Sequence, residues 1–361
     1  MKRLIRTALL SASLLLFLLS SCDRRPLEIY YPDAARIRID VDWESRFGSV
    51  PSGMTMLFFQ NGDTLPQTVV TNSTQSTYVD LKPGVYHLVL FNQSYDEFGS
   101  FRFENTTSYR WITTRARNIV TRQNKQWDEG TVYMADPERF AVALDTFTIT
   151  EDMLEEQVRF TDYRNRARAS LGTDTAVYVI QETAFPMTTV INVHCHVLGI
   201  NNMRSVEANI TGLADGCRMQ QIWRTPWTGT LLLDGWNASG ITRAATDSIT
   251  EGWLHCSMPT WGLPHGKELV REPEDNLLRL CFLMKDGTTR EYQYNVGHLI
   301  HYRNAELMEQ GHFCPSDVAL ELELVLDVPI RLPEVIDTGA GGGFSAEVDD
   351  WEDGGTIEIE F

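Results

Sequence analysis

Positive charge is what this sequence has least of. Lys and Arg number 31 against 49 Asp and Glu in 361 residues, a formal charge of −18. Nucleic-acid binding rests on basic side chains that neutralise phosphates, so this composition excludes that class of partner. The common catalytic signatures are missing as well: there is no P-loop, no G-x-S-x-G nucleophile elbow and no H-E-x-x-H helix. No period of about 20–50 residues recurs, which excludes solenoids and propellers. No cysteine lies between Cys22 and Cys195. The five that follow, Cys195, Cys217, Cys256, Cys281 and Cys314, match neither paired zinc knuckles nor a dense disulfide scaffold. One or two disulfides are open to them in an oxidising compartment. Mostly buried free thiols are the expected state, because cysteine packs as a small apolar residue.

What is present begins at the N-terminus. MKRLIRTALLSASLLLFLLSSC carries Lys2, Arg3 and Arg6, then an apolar run from Ala8 to Leu19. A basic region, a short apolar run and small residues before a cleavage point read as a secretory signal peptide over residues 1–21, the run being shorter than the roughly 20 residues of a membrane-spanning helix. Leu19-Ser20-Ser21-Cys22 also resembles the bacterial lipobox, whose cysteine is acylated, with palmitate among the chains, and becomes the first mature residue. Acyl chains contribute about 0.8 kcal/mol per buried CH₂, so several on one cysteine anchor firmly. Cys22 is thus the expected lipidation site, followed by a tether over residues 22–35.

From Arg36 the chain alternates. Ile37, Ile39, Val41 and Trp43 fall on one face and Arg38, Asp40 and Asp42 on the other, which predicts a half-buried antiparallel strand. Further strands are expected at Met54–Phe59, Ser76–Leu81, Val85–Phe91, Thr131–Met134 and Phe140–Ile149, with turn chemistry at Asn61-Gly62-Asp63 and Lys82-Pro83-Gly84. Residues 152–171 fit a helix or a strand and are read as a seam. A second series follows: Ala176–Gln181, Thr188–Leu198, Ser205–Ile210, Thr230–Leu233, Thr250–Cys256, Leu277–Met284, Glu291–Val296 and Val318–Val328, with hairpin signals at Gly212–Gly216, Asp234-Gly235 and Lys285-Asp286-Gly287. The fold class expected is all-β: a β-sandwich over residues 36–172, a second over 173–340, and a Gly-rich, acidic segment over 341–361.

Candidate sites are few. In Val193-His194-Cys195-His196-Val197 the two histidines share one strand face and Cys195 takes the other. His194 and His196 are weak metal candidates whose further ligands would have to come from His298, His301, His312 or Cys314; a core cysteine with two histidines on the polar face explains the pattern without a metal. No cofactor is expected. Trp223, Trp227, Trp236, Trp253 and Trp261 fall within 39 residues. Exposed, they would make platforms for sugar rings and a glycan-binding surface; buried, they are core and loop packing. Asp349-Asp350 and Glu352-Asp353 lack the spacing of a calcium loop and read as a solvated turn. The last residues alternate Ile357, Ile359 and Phe361 against Glu358 and Glu360, so they either close the protein's own sheet or are donated to a neighbour.

Gly84-Val85-Tyr86-His87-Leu88-Val89-Leu90-Phe91-Asn92, the stretch from Ser205 to Gly216, and Gly341-Gly342-Gly343-Phe344 with Val348 and Trp351 resemble lipoproteins of the Bacteroidales fimbrillin superfamily. The resemblance implies transthyretin-like, Greek-key sandwiches, an outer-membrane lipid anchor facing the cell surface or the periplasm, and pilin-like partners joined by strand exchange. It implies no enzyme. The sequence shows no protease-maturation site after the signal peptide, which favours an anchor, an accessory subunit or a free-standing adhesion protein over a shaft subunit. Asp63-Thr64-Leu65, Asp174-Thr175-Ala176 and Asp247-Ser248-Ile249 are similar to the O-glycosylation motif of the same bacterial group.

Overall fold

A computed structural model describes residues 33–61, 65–119, 127, 131–157, 178–243, 250–303 and 321–335. Residues 1–21, Cys22, His312, Cys314 and the C-terminal Ile357, Ile359 and Phe361 lie outside the described residues. Among the described residues no helix is long and apolar enough to cross a membrane. Of the ambiguous seam, residues 152–157 are helical, and 158–171 lie outside the described residues.

The fold is all-β. The first sheet has the order β11 (Tyr178–Thr183), β1 (Ala35–Asp42), β4 (Ser76–Leu81). The second has the order β12 (Phe185–Pro186), β10 (Ala141–Ile149), β5 (Gly84–Asn92), β2 (Met54–Gln60), β3 (Gln67–Thr71). Alternation in β1 drives Ile37, Ile39 and Val41 onto Met56, Phe58, Leu88, Leu90 and Ala143 of this second sheet. Its other face is buried too. Leu57, Phe59, Val89, Phe91 and Val142 pack with Phe101, Ile112 and Cys217, in and beside a third sheet of order β16 (Trp223–Arg224), β15 (Gly216–Arg218), β7 (Thr113–Ala116), β6 (Phe101–Glu104). Strand β2 is accordingly buried from Met54 through Phe59. An aromatic cluster fills this second layer: the rings of Phe98 and Phe101 are 4.5 Å apart, and Trp261 sits 5.0 Å from Phe101 and 6.1 Å from Phe140. Each such side chain contributes about 2–3 kcal/mol by leaving water.

The second sandwich pairs a six-stranded sheet, β21 (Thr289–Asn295), β20 (Leu277–Met284), β14 (Met203–Ala214), β17 (Thr228–Leu233), β9 (Tyr133–Met134), β8 (Asn118–Ile119), with another, β18 (Asn237–Arg243), β19 (Thr250–Thr260), β13 (Thr189–Leu198), β23 (Leu322–Val325), β22 (Ile300–Tyr302), in which β24 (Ile330–Arg331) also joins β13. Ile191, Val193, Cys195 and Val197 of β13 share its core with Ala208, Ile210, Leu278, Leu280 and Phe282.

The hydrogen-bonded sheets do not part at residues 172 and 173. Strand β11, expected in the second sandwich, pairs in parallel with β1 in the first, and β12 pairs with β10. In the other direction β9 joins β17 of the second sandwich, and β15 joins β7 in a sheet built from both halves. The expected hairpin at Gly212–Gly216 is also corrected: β14 runs on to Ala214 with a register shift between Ile210 and Leu213. Gly212 is required there because its φ is +79° and a Cβ would stand 2.0 Å from the Asp275 carbonyl oxygen. At Gly216 a Cβ would stand 1.9 Å from the Thr114 carbonyl oxygen, so only glycine lets β15 close on β7.

One carboxyl in the first sandwich makes stability depend on pH. Burial, and then the Asp145 carboxylate beside it, push the Glu182 carboxyl up to about 8 from 4.5. A carboxyl raised on folding adds stability below its unfolded value near 4.5, and that stability is lost as pH rises towards 8. Glu182→Gln is therefore expected to match the wild type in thermal midpoint at pH 4 and to exceed it by a few degrees at pH 9, as read by circular dichroism melts.

Candidate functional site

The sheet shared by the two halves has one face in the core and one outward. In register, Glu104, Thr113, Arg218 and Trp223 form one row, and Arg102, Arg115 and Gly216 the next but one. The intervening row, Phe103, Thr114, Cys217 and Arg224, turns inward, where Thr114, Cys217 and Arg224 are buried. Side chains alternate across a strand, so the two outer rows make one surface. Trp227 lies on it, with the Arg115 and Arg218 guanidinium carbons 4.6 and 5.6 Å from its ring centre. Arg115 is fixed by a 2.5 Å ion pair with the mostly buried Asp215. Trp223 stacks on His265 at 4.1 Å. Both tryptophans stay open to solvent, Trp223 at 37% and Trp227 at 46%, and Trp111, just before β7, is 63% exposed.

The five tryptophans singled out in the sequence therefore do not form one platform. Trp236 is buried in the core of the second sandwich, donating its Nε1–H to the Leu233 carbonyl oxygen, and Trp261 is fully buried in the shared core. Trp253 is half-buried on a different sheet, stacked on His196. Trp111 was missed because it lies outside the tryptophan-rich stretch.

The histidines sit on that other sheet. His194 and His196 project from the outer face of β13 while Cys195 points into the core. His194 Nδ1 is 2.6 Å from His255 Nδ1, one ring nitrogen donating and the other accepting, and its Nε2 is 3.2 Å from Glu323. His255 Nε2 is 2.6 Å from Ser239 Oγ. Burial and the neighbouring His194 lower the His255 pKa. His196 instead faces Glu251 at 3.6 Å. The two histidines thus serve different partners, and the described residues include no group of three or more His, Cys, Asp or Glu placed to hold a metal ion.

The sheet edges differ in how they are guarded. Among described edge strands of five residues or more, β4 carries Asp80, β21 carries Arg290 and Glu291, and β18 has a register shift around Gly240, while the one acid of β11, Glu182, is partly buried with its carboxyl pushed up to about 8. Such charges and bulges discourage pairing with foreign strands. Strand β3, QTVVT, has neither; it pairs only with β2 among the described strands, and Val70 is 58% exposed. The sequence reading missed β3 because five residues without apolar alternation give no period to read.

A similar all-β arrangement of stacked sandwiches is found in a solved structure. The crystal structure of a "putative adhesin" from Bacteroides ovatus superposes with a TM-score of 0.51 at 17% identity, covering 88% of this chain and 99% of that one. A second such protein, from Bacteroides thetaiotaomicron, gives 0.48 at 13% identity with 84% and 92% covered. The fimbrial anchor protein Mfa2 from Porphyromonas gingivalis gives 0.42 at 14% identity with 81% and 90% covered. No curated protein matches the sequence. Residues 21–234 match the domain of unknown function DUF5119, and the chain belongs to that family.

The four described cysteines are packed in the interior. Cys195, Cys217, Cys256 and Cys281 are buried thiols outside any disulfide. Burial pushes the Cys195 and Cys217 thiols up to about 12 and the Cys256 thiol higher still. The reactive species is the thiolate, so these groups are inert in the folded state. Titration with a thiol reagent is expected to leave all four unmodified in native buffer and to label them in denaturant; labelling of Cys195 or Cys217 without unfolding would contradict the packing.

Proposed function

We propose that the protein is a non-enzymatic, cell-envelope adhesion or fimbrial accessory subunit, tethered through an acylated Cys22 and joined to a pilin-like partner by strand addition at β3. The observation that carries this reading is the unguarded edge of β3. An incoming strand would satisfy its free backbone groups, and apolar side chains alternating along that strand would set the register. In the sequence, Ile357, Ile359 and Phe361 alternate with Glu358 and Glu360 as a donated strand would, which supports donation of this segment in turn. Lipid attachment at Cys22, with the lipobox-like residues before it, would hold the assembly on the outer membrane.

Two substitutions test the two parts. Cys22→Ser should release the protein into the soluble fraction and abolish incorporation of labelled palmitate. Val70→Lys places a charge on the open edge, a common natural guard against pairing, at a cost to stability of within about 0.5 kcal/mol because the site is exposed. Cross-linking in native cells should join the wild type to a pilin-like subunit and lose that product in Val70→Lys. A cross-link that survives the substitution would place the contact elsewhere.

A further inference from the structure

In an acidic chain, the strands and turns of the shared sheet are rich in arginine. Residues 101–117 and 215–227 together hold Arg102, Arg110, Arg115, Arg117, Arg218 and Arg224 and only two acidic residues, Glu104 and Asp215, in a protein of net charge −18. Arg224 turns into the core, where its Nε–H donates to the Trp261 carbonyl oxygen at 3.0 Å. The other five belong to the strands of the shared sheet and their flanking turns; Arg102, Arg115 and Arg218 stand on the outward rows, Arg115 and Arg218 against Trp227 and Arg102 paired with Glu104 at 2.8 Å.

We propose that this outward face binds an anionic polysaccharide, one carrying uronate or sulfate groups. Two chemistries meet there. Tryptophan rings that remain open offer flat apolar surface to the C–H faces of sugar rings. Guanidinium groups offer paired N–H donors in the fork geometry that carboxylate and sulfate accept. The Asp215 carboxylate orients Arg115 against Trp227, so the pair is held ready before any ligand arrives. Charge complementarity selects the occupant: an anionic polymer is drawn to the arginines of this face, and a neutral glucan gains nothing from them. The site is separate from the β3 edge, so its fate does not depend on strand addition.

The test is binding of the full-length chain to heparin, polygalacturonate, dextran and polyglutamate by affinity electrophoresis, with tryptophan fluorescence on the same samples. Heparin or polygalacturonate should retard the protein and change its fluorescence, dextran should not, and the retardation should vanish near about 1 M salt, where the screening length is roughly 3 Å. Trp227→Ala and Arg218→Gln should each weaken binding about tenfold, with the melting temperature of each variant as the check on folding. If Trp227→Ala fails to fold, Trp223→Ala with Arg218→Gln is the replacement. Failure of both anionic polysaccharides to bind would overturn the proposal, as would binding unchanged in the variants or equal binding of dextran. Polyglutamate bound as tightly as polygalacturonate would also overturn it, because bare charge would then suffice without sugar stacking.

Discussion

The middle of the five-stranded sheet in the first half, β2 and the later residues of β5, is buried on both faces, and the rest of the molecule is arranged around that constraint. A sheet buried on both sides needs two covers. One is the sheet of β11, β1 and β4; the other is the sheet of β6, β7, β15 and β16, which the first half of the chain cannot complete alone. The second half therefore supplies β15 and β16, and Trp261 from the end of β19 plugs the aromatic cluster between the layers. The glycine at residue 216 follows from the same requirement, since the backbones of β7 and β15 meet too closely for a side chain.

This constraint also explains what the surface offers. A shared sheet with its inner rows buried must present its outer rows, and those rows hold the arginines and open tryptophans. The β3 edge has a different origin: it ends the central sheet, where β2 beside it is fully buried and β3 is mostly exposed. One surface suits a polymer lying across the strands, the other a strand lying along them.

Local patterns in the sequence were legible and long-range pairings were not. The alternation in β1 and β13 gave their inward and outward residues correctly, because a half-buried strand writes its period into the chain. It assigned Cys195 to the core and His194 and His196 to the outer face. Trp236 and Trp261 looked the same as Trp223 and Trp227, since a tryptophan suits a core or a surface equally and only the neighbours decide. Glycines at 212 and 216 gave a turn signal but serve a bulge and a close strand contact. The exchange of β9 and β11 between sandwiches left no local trace at all, because pairing partners such as Ile39 and Ile180 lie far apart in sequence.

If the halves share a core, they should unfold together. Differential scanning calorimetry of the soluble chain measures this directly. The account predicts one cooperative transition, which Gly216→Ala shifts as a whole to lower temperature by about 1–3 kcal/mol of destabilisation through overpacking at the β7–β15 contact. Two separate transitions, with Gly216→Ala moving only one of them, would contradict it.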